Sequence, residues 1–196
     1  ADRSGRIRLE RGARRFQPDS PVVAGTVDEA VAVMLPALPD WEFGALRSHV
    51  IDRSRAILPV EAVPLAPLTA RLSSAGLALG IATNDAEEAA RAQLATLGLD
   101  AAFGFLAGAD SGHGAKPGPG QCLAFAAACG LAPGEIAMIG DSTHDLHAGR
   151  AAGMVCVAVL TGTAEAAELR PHADVVLPDI GHLPDWLGLE ASLRGA

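Results

Sequence analysis

The stretch of this sequence that most constrains the fold spans residues 135–153 and reads EIAMIGDSTHDLHAGRAAG. An apolar run, Ile136 to Ile139, stops at Gly140-Asp141, and a second carboxylate, Asp145, follows four residues later. Apolar residues at helical spacing come next and lead to Gly153, a residue type that commonly follows a helix C-terminus. The stretch therefore predicts a buried strand, a tight loop and a helix.

Two carboxylates at the end of a buried strand indicate a metal site. In open α/β sheets, ligands bind beyond the carboxyl ends of the strands. Two acidic side chains in such a place repel each other unless a cation lies between them. Mg²⁺ prefers hard oxygen ligands and completes its shell with water and phosphate, so Asp141 and Asp145 are predicted to hold Mg²⁺. On these residues alone, the alternative is that both aspartates only cap local structure.

Charge and cysteine content exclude several classes of function. The formal net charge of −8 argues against nucleic acid or an anionic membrane as the main partner, because both require basic surfaces. No apolar run is long enough for a membrane helix, and no signal peptide is visible. The cysteines show no zinc-type spacing, and we interpret them as buried free thiols of a reducing, cytoplasmic compartment. They are Cys122, Cys129 and Cys156.

After Pro59, short apolar runs alternate with segments of helical periodicity, which predicts a parallel sheet covered by helices on both faces. The predicted strands are 77–82, 103–107, 136–139, 155–160 and 173–177, and the predicted helices are 64–75, 86–97, 121–129 and 145–152. Residues 1–58 are predicted to be all-helical. In that segment Thr26 and Glu29 form a predicted capping box, Asp40 is expected to cap the next helix, and six early arginines are interpreted as a solvated helix face.

Polar side chains follow three of the predicted strands. Thr83 ends the first strand, Lys116 lies in the Gly-rich loop after the second, and the two aspartates follow the third. Taken singly, Thr83 is better explained as the cap of the helix that begins near Asp85, and Lys116 as an ordinary loop lysine before Pro117. The order and spacing of the set resemble motifs two, three and four of the haloacid dehalogenase superfamily, in its phosphoglycolate phosphatase group, over about residues 59–161.

The resemblance implies an α/β fold with a Rossmann-like, three-layer α/β/α core at 59–196 and a small all-helical cap at 1–58. It implies that Thr83, Asn84 and Lys116 bind phosphate, with Thr83 and Lys116 catalytic, and that Asp141 and Asp145 hold Mg²⁺. The implied activity is Mg²⁺-dependent hydrolysis of a small phosphorylated metabolite, similar to phosphoglycolate. The substrate itself and the oligomeric state remain open.

Three alternatives to this activity remain. The chain by itself is a non-catalytic module that binds Mg²⁺ and phosphate, or it is a phosphomutase with the same three motifs. A dehalogenase is less favoured, because that chemistry does not need the Asp141/Asp145 pair. Other sites are not supported: there is no Gly-Lys-Ser/Thr of a Walker A loop, no Gly-x-Ser-x-Gly elbow, and no third soft ligand for a zinc site at His144 and His147.

One expected motif is absent. The superfamily's first motif, Asp-x-Asp-Gly-Thr at the end of a leading strand, carries the nucleophile that forms an aspartyl-phosphate and a second Asp that acts as general acid/base. Asp2 and the Gly25-Thr26-Val27-Asp28 stretch do not match it. We therefore expect a nucleophile strand upstream of Ala1, which in the sheet would lie between the strands that carry Thr83 and Asp141. Intact-mass measurement or the reading frame upstream of Ala1 tests this expectation.

Overall fold

The computed structural model describes the backbone of Leu9–Glu10 and Arg15–Phe16 and all residues from 20 to 189. Within these residues the strands are β1 (Leu9–Glu10), β2 (Arg15–Phe16), β3 (Gly80–Ala82), β4 (Phe105–Ala107), β5 (Ala137–Gly140), β6 (Val155–Val159) and β7 (Val175–Leu177). The α-helices are α1 (Val27–Met34), α2 (Phe43–Arg55), α3 (Leu65–Ser74), α4 (Glu87–Thr96), α5 (Gly120–Cys129), α6 (Thr143–Ala152), α7 (Ala166–Leu169) and α8 (Leu183–Trp186). None of the helices in this described part of the chain has both the length and the apolar character needed to cross a membrane.

The parallel strands lie in two separate sheets. β3 pairs with β4, with Ile81 opposite Leu106. β5, β6 and β7 pair in that order, with Ile139 opposite Val157. The prediction of an α/β fold with parallel strands is confirmed. The strands do not form one continuous sheet, because β3 and β5 are not paired with each other.

Small residues allow α6 to lie directly against β5. A Cβ atom on Gly149 would lie 2.6 Å from the Cβ atom of Met138, so only glycine fits at this contact. Ala148 and Ala152 of α6 join Cys122 and Ala126 of α5 in one buried cluster. Burial of these apolar groups holds α5 and α6 together over the strand, and so sets the direction in which α6 leaves the loop after β5.

The first two helices pack on α4. Ile51 of α2 is buried together with Ala86 and Ala89, and Val27 packs against the same cluster. The Gln93 side-chain amide adds a hydrogen bond of 3.0 Å to the Ser54 carbonyl oxygen. This segment therefore has a defined position relative to the parallel strands.

The predicted start of α1 is confirmed. The Thr26 hydroxyl accepts from the Glu29 N–H, and the Glu29 carboxylate accepts from the Thr26 N–H. The predicted cap at Asp40 is wrong. α2 begins at Phe43 after Glu42, and no side chain caps it. The physical reason is that an aspartate caps only when its carboxylate can reach the N–H groups of the first turn, which lies too far along the chain here.

The prediction that residues 1–58 are all-helical is also wrong at one place, because β1 and β2 form an antiparallel pair with Leu9 opposite Phe16. In the sequence, Gly12 lies between the two strands and Gly5 precedes the first one, and glycine is a poor helix former. The interpretation of the six arginines as a solvated helix face falls on side chains outside the described residues.

Candidate active site

The carboxyl ends of β3 and β5 and the loop after β4 meet around a cavity of about 250 Å³. Its wall contains all five residues singled out from the sequence: Thr83, Asn84, Lys116, Asp141 and Asp145. They come from three separate stretches of the chain, and they converge because the carboxyl ends of β3 and β5 meet here, the place where ligands bind in α/β folds. The structure therefore places these five side chains together, and their individual roles stay predictions.

The Lys116 ammonium group is held between β3 and α6. Its Nζ atom donates to the Ala82 carbonyl oxygen at 2.7 Å and to Asp145 Oδ1 at 2.6 Å. The Lys116 and Asp145 side chains are only 11% and 9% exposed, so the ion pair is largely removed from solvent. An ammonium group has three hydrogens, and these two bonds leave a third for a ligand in the cavity.

The Ala82 carbonyl group faces the edge of β3 that β4 does not cover. The Thr83 N–H donates to the Ala107 oxygen of β4, and in a trans peptide the preceding C=O points the opposite way. Lys116 therefore lies at the uncovered edge of β3, on the side facing β5.

Asp145 has a structural role as well as its contact with Lys116. Its Oδ2 atom accepts from the Ser142 N–H at 3.1 Å and from the Ser142 hydroxyl at 2.7 Å. In return the Ser142 hydroxyl accepts from the Asp145 N–H, completing the capping box of α6. α6 consequently begins at Thr143, before the predicted start at residue 145. The alternative in which Asp145 only caps the helix is thus correct in part: Asp145 takes part in the capping box, but the N-cap residue is Ser142.

Asp141 lies in a different electrostatic environment. Burial raises the pKa of its carboxyl group above the ordinary value, and the neighbouring Asp145 carboxylate raises this pKa further, while Lys116 opposes both effects. A Cβ atom on Gly162 would lie 2.5 Å from Asp141 Cγ, so the loop after β6 closes tightly over this carboxyl group. Burial and the Asp145 carboxylate therefore destabilise the ionised form of Asp141, and the positive charge of Lys116 compensates for only part of this effect.

A divalent cation would offset this deficit. Carboxylate oxygens are the donors that Mg²⁺ prefers, and Mg²⁺ commonly uses one or two of them with water and phosphate. Among the described residues, no group of three or more His, Cys, Asp or Glu side chains is arranged to hold a metal. The donor set at Asp141 and Asp145 fits Mg²⁺ and does not fit a metal that requires soft or numerous ligands.

Thr83 is oriented by its backbone neighbours. Its Oγ1 atom accepts from the Asp85 N–H at 3.1 Å, and a hydroxyl that accepts in this way still has its own hydrogen to donate. The Gln121 side chain donates to the Thr83 carbonyl oxygen at 2.9 Å. Since α4 begins at Glu87, after Ala86, Thr83 is not the cap of that helix.

Other cavity residues were not singled out from the sequence. Gly162, Thr163 and the segment Val23–Gly25 also line the wall. The sequence itself offered one further indication that Lys116 has a specific role: it is the sole lysine among the 15 lysine and arginine residues of the chain. Of the two histidines weighed as zinc ligands, His144 lines the cavity, whereas His147 is not part of its lining and contacts His172, with ring nitrogens 3.2 Å apart.

An apolar cleft of about 500 Å³ separates β3 from β5. Gly80, Ile81 and Ala82 line one side, and Ala137, Met138 and Ile139 line the other. Both strands are only half-buried or exposed, whereas β6 is almost completely buried. The edges of β3 and β5 that face this cleft pair with no strand in the described part of the chain.

The sequence matches known proteins over most of its length. The family model for haloacid dehalogenase-like hydrolases matches residues 65–159. A phosphoglycolate phosphatase of Escherichia coli (strain K12) is 31% identical over 189 residues, which cover 94% of this chain and 71% of that protein. The chain belongs to the haloacid dehalogenase-like hydrolases, in the phosphoglycolate phosphatase group.

Other members of the family match over a smaller share of their length. A phosphoglycolate phosphatase of Rhodospirillum rubrum is 33% identical over 121 residues, or 62% of this chain and 50% of that protein. One from Shigella boydii is matched over 58% of its length. The chain thus spans about half of these two relatives.

Solved structures of the family share the fold. A HAD phosphatase from Thermococcus onnurineus superposes with a TM-score of 0.62 at 26% identity, covering 77% of this chain and 66% of that one. A predicted phosphoglycolate phosphatase from Haemophilus somnus 129pt gives a TM-score of 0.73 at 18% identity, covering 84% and 79%. The sequence-based assignment to this superfamily and to a Rossmann-like α/β core is confirmed.

Proposed function

We propose that this chain functions in the Mg²⁺-dependent hydrolysis of a phosphomonoester, with a small phosphorylated metabolite as substrate. The observation that carries the proposal is that a hydroxyl, an ammonium group and two carboxylates line one cavity of about 250 Å³. Pockets for drug-sized ligands are larger, roughly 300–1,000 Å³, so the volume favours a small substrate. Relatives named phosphoglycolate phosphatase support a phosphoglycolate-like one.

Phosphoryl transfer depends mainly on positioning and on neutralising the charge of the phosphoryl oxygens. Thr83 donates its hydroxyl hydrogen to one of these oxygens, and Lys116 donates its third ammonium hydrogen to another. Asp141 is the direct metal ligand, because Asp145 is already bonded to Lys116 and Ser142. Mg²⁺ bound there supplies further positive charge next to the phosphoryl group.

The nucleophile is an aspartate that enters on a strand seated in the cleft between β3 and β5. Its carboxylate oxygen attacks phosphorus as the bond to the substrate alcohol breaks, and water then hydrolyses the aspartyl-phosphate to orthophosphate. Unpaired backbone groups at a sheet edge are costly to bury, so a parallel strand would satisfy both facing edges. A strand ending there would bring its next residue close to Lys116, at the mouth of the cleft.

A side chain of the cleft supports this occupant. Gln121 is fully buried and lines the cleft, and its Oε1 atom has no hydrogen-bond donor among the described residues. A buried carbonyl oxygen without a donor costs about 1–3 kcal/mol. A strand in the cleft brings N–H groups that could donate to it.

The segment before β3 covers the cavity as a partial cap. Within residues 20–58, the residues that line the cavity wall are Val23, Ala24 and Gly25. They are the residues of that segment in position to contact the organic part of the substrate. We propose that residues 1–58 belong to the cap and residues 59–196 to the core.

Calorimetry and an activity assay test the proposal. The purified chain is expected to bind orthophosphate in the presence of Mg²⁺ and to lose this binding with a chelator or in the Asp141→Asn variant. Release of phosphate from phosphoglycolate and from an aryl phosphate is measured with and without Mg²⁺. Absence of Mg²⁺-dependent phosphate binding would contradict the proposal.

The same measurements separate the two remaining candidates. Binding of phosphate without turnover supports a non-catalytic module, which the uncovered edges of β3 and β5 favour for this chain by itself. Turnover by the chain as given excludes that module. A phosphomutase would move phosphate between positions of a sugar phosphate without releasing it, so product analysis distinguishes it from a hydrolase.

A further inference from the structure

The side chain of Asn84 is committed to backbone partners on two segments. Its Oδ1 atom accepts from the Lys116 N–H at 2.8 Å. Its Nδ2 atom donates to the Lys116 carbonyl oxygen and to the Ala24 carbonyl oxygen, both at 2.9 Å. The residue is about nine-tenths buried, so these bonds are protected from competition by water.

These bonds join the two walls of the cavity. Ala24 belongs to a tight turn of residues 20–25, in which the Val23 and Ala24 N–H groups both donate to the Ser20 carbonyl oxygen. Ser20 is completely buried, which anchors the start of this turn. Lys116 lies on the opposite side of Asn84, in the loop after β4. One amide side chain therefore connects the turn to the backbone of the lysine.

We propose that Asn84 is a positioning residue that links the 20–25 turn to Lys116, so that the wall facing the substrate's organic part and the ammonium group keep a constant separation. The proposal replaces direct phosphate binding by the Asn84 side chain, whose oxygen and nitrogen are already bonded to backbone groups. It rests on the proposed phosphate-binding role of Lys116.

The chemistry of the position requires an amide. The site presents one N–H donor and two carbonyl acceptors, and asparagine offers an acceptor oxygen and two N–H donors. Aspartate at the same position keeps the acceptor for the Lys116 N–H but places an oxygen against two carbonyl oxygens. Alanine removes all three bonds.

The composition of the chain makes a direct test feasible. Asn84 is the only asparagine and Lys116 the only lysine in the sequence, so selective ¹⁵N labelling of these two residue types reports on each of them alone. Amide hydrogen exchange of Lys116 and the Asn84 side-chain resonances are measured by NMR. Orthophosphate binding with Mg²⁺ is measured on the same samples by calorimetry.

Asn84→Ala is expected to accelerate exchange of the Lys116 amide by about tenfold or more, since a buried hydrogen bond is lost. It is also expected to weaken orthophosphate binding by about tenfold, which is the scale of one such bond. Asn84→Asp is expected to keep the Lys116 amide protected while still weakening phosphate binding, which gives a second variant should the alanine variant fold poorly.

Gln93→Ala provides the matched control. Gln93 also tethers the first helices to the core through a single side-chain amide, by its bond to Ser54, but it does not contact Lys116. The proposal is overturned if Lys116 exchange is unchanged in Asn84→Ala, or if Gln93→Ala has the same effect. Absence of phosphate binding by the unsubstituted chain would contradict the proposed function. The exchange rate of the Lys116 amide would still show whether Asn84 holds the Lys116 backbone in place.

Discussion

Replacing the two site aspartates one at a time with asparagine should change the stability of the metal-free protein in opposite directions. Asp145→Asn removes the charge that pairs with Lys116 across 2.6 Å in a largely buried setting. Breaking a buried ion pair typically costs 3–5 kcal/mol. Since the asparagine oxygen can still accept from Ser142, we expect a loss of about 3 kcal/mol, at the lower end of that range.

Asp141→Asn should have the opposite effect. The pKa of Asp141 is raised, first by burial and then by Asp145, so its ionised form is unfavourable in the folded protein at neutral pH. An uncharged isostere removes that penalty, and we expect a gain of about 0.5–2 kcal/mol, the range common for single stabilising substitutions.

The pH dependence of Asp141 has a definite sign. Because its folded-state pKa lies above the ordinary value of 3.8, the folded protein takes up a proton at higher pH than the unfolded chain. Its contribution to stability therefore improves as the pH falls through the folded-state pKa, and the improvement is complete below 3.8. The Asp141→Asn variant should lack this part of the pH profile.

Urea unfolding followed by far-UV circular dichroism measures these changes, with a chelator present and comparison of midpoints at equal slope. Adding Mg²⁺ at a hundred times its dissociation constant should then stabilise the unsubstituted chain by about 2.7 kcal/mol and leave Asp141→Asn unchanged. Destabilisation by both substitutions in the chelated protein, or an Mg²⁺ response retained by Asp141→Asn, would refute the division of roles between the two carboxylates.

Two further predictions use other parts of the structure. Gly162→Ala should abolish the Mg²⁺-dependent rise in melting temperature, because the new Cβ atom would displace Asp141, whereas Gly104→Ala, which meets no atom within 4 Å, should keep it. The pKa of Glu87 is lowered, chiefly by the hydrogen bond from Ser111, so its stabilising contribution is present above the ordinary value of 4.5 and is lost as the pH falls through the lower folded-state pKa. In Ser111→Ala, the free energy of unfolding in urea should vary less with pH over this acid range. An unchanged pH dependence would contradict the role of Ser111 in lowering the pKa of Glu87.

Much of the core was predictable because its signals are local. Helical and apolar periodicity are written in neighbouring residues, and the predicted helix at 121–129 differs from α5 by a single residue. Strand ends were less accurate, since pairing with a neighbour decides where a strand begins. The predicted strand at 77–82, for example, is paired only at Gly80–Ala82.

The errors outside the core have the same origin. Asp40 is a good capping residue by type, yet α2 begins at Phe43 with Glu42 in the N-cap position and no side-chain cap. The β1–β2 pair depends on contacts between two segments, which residue counts do not register. Local propensity is a weak signal where partners elsewhere in the chain compete.

The sequence by itself determined that this chain alternates strands and helices, that it belongs with the haloacid dehalogenase-like hydrolases, and that Thr83, Lys116 and Asp141 follow successive strands. Only the tertiary structure decided what each polar group is bonded to. Lys116 meets Asp145 across 29 residues of chain and Asn84 meets Ala24 across 60. Hydrogen bonds and charge effects act over a few ångströms in space, so no pattern along the chain can reveal which distant partners they join.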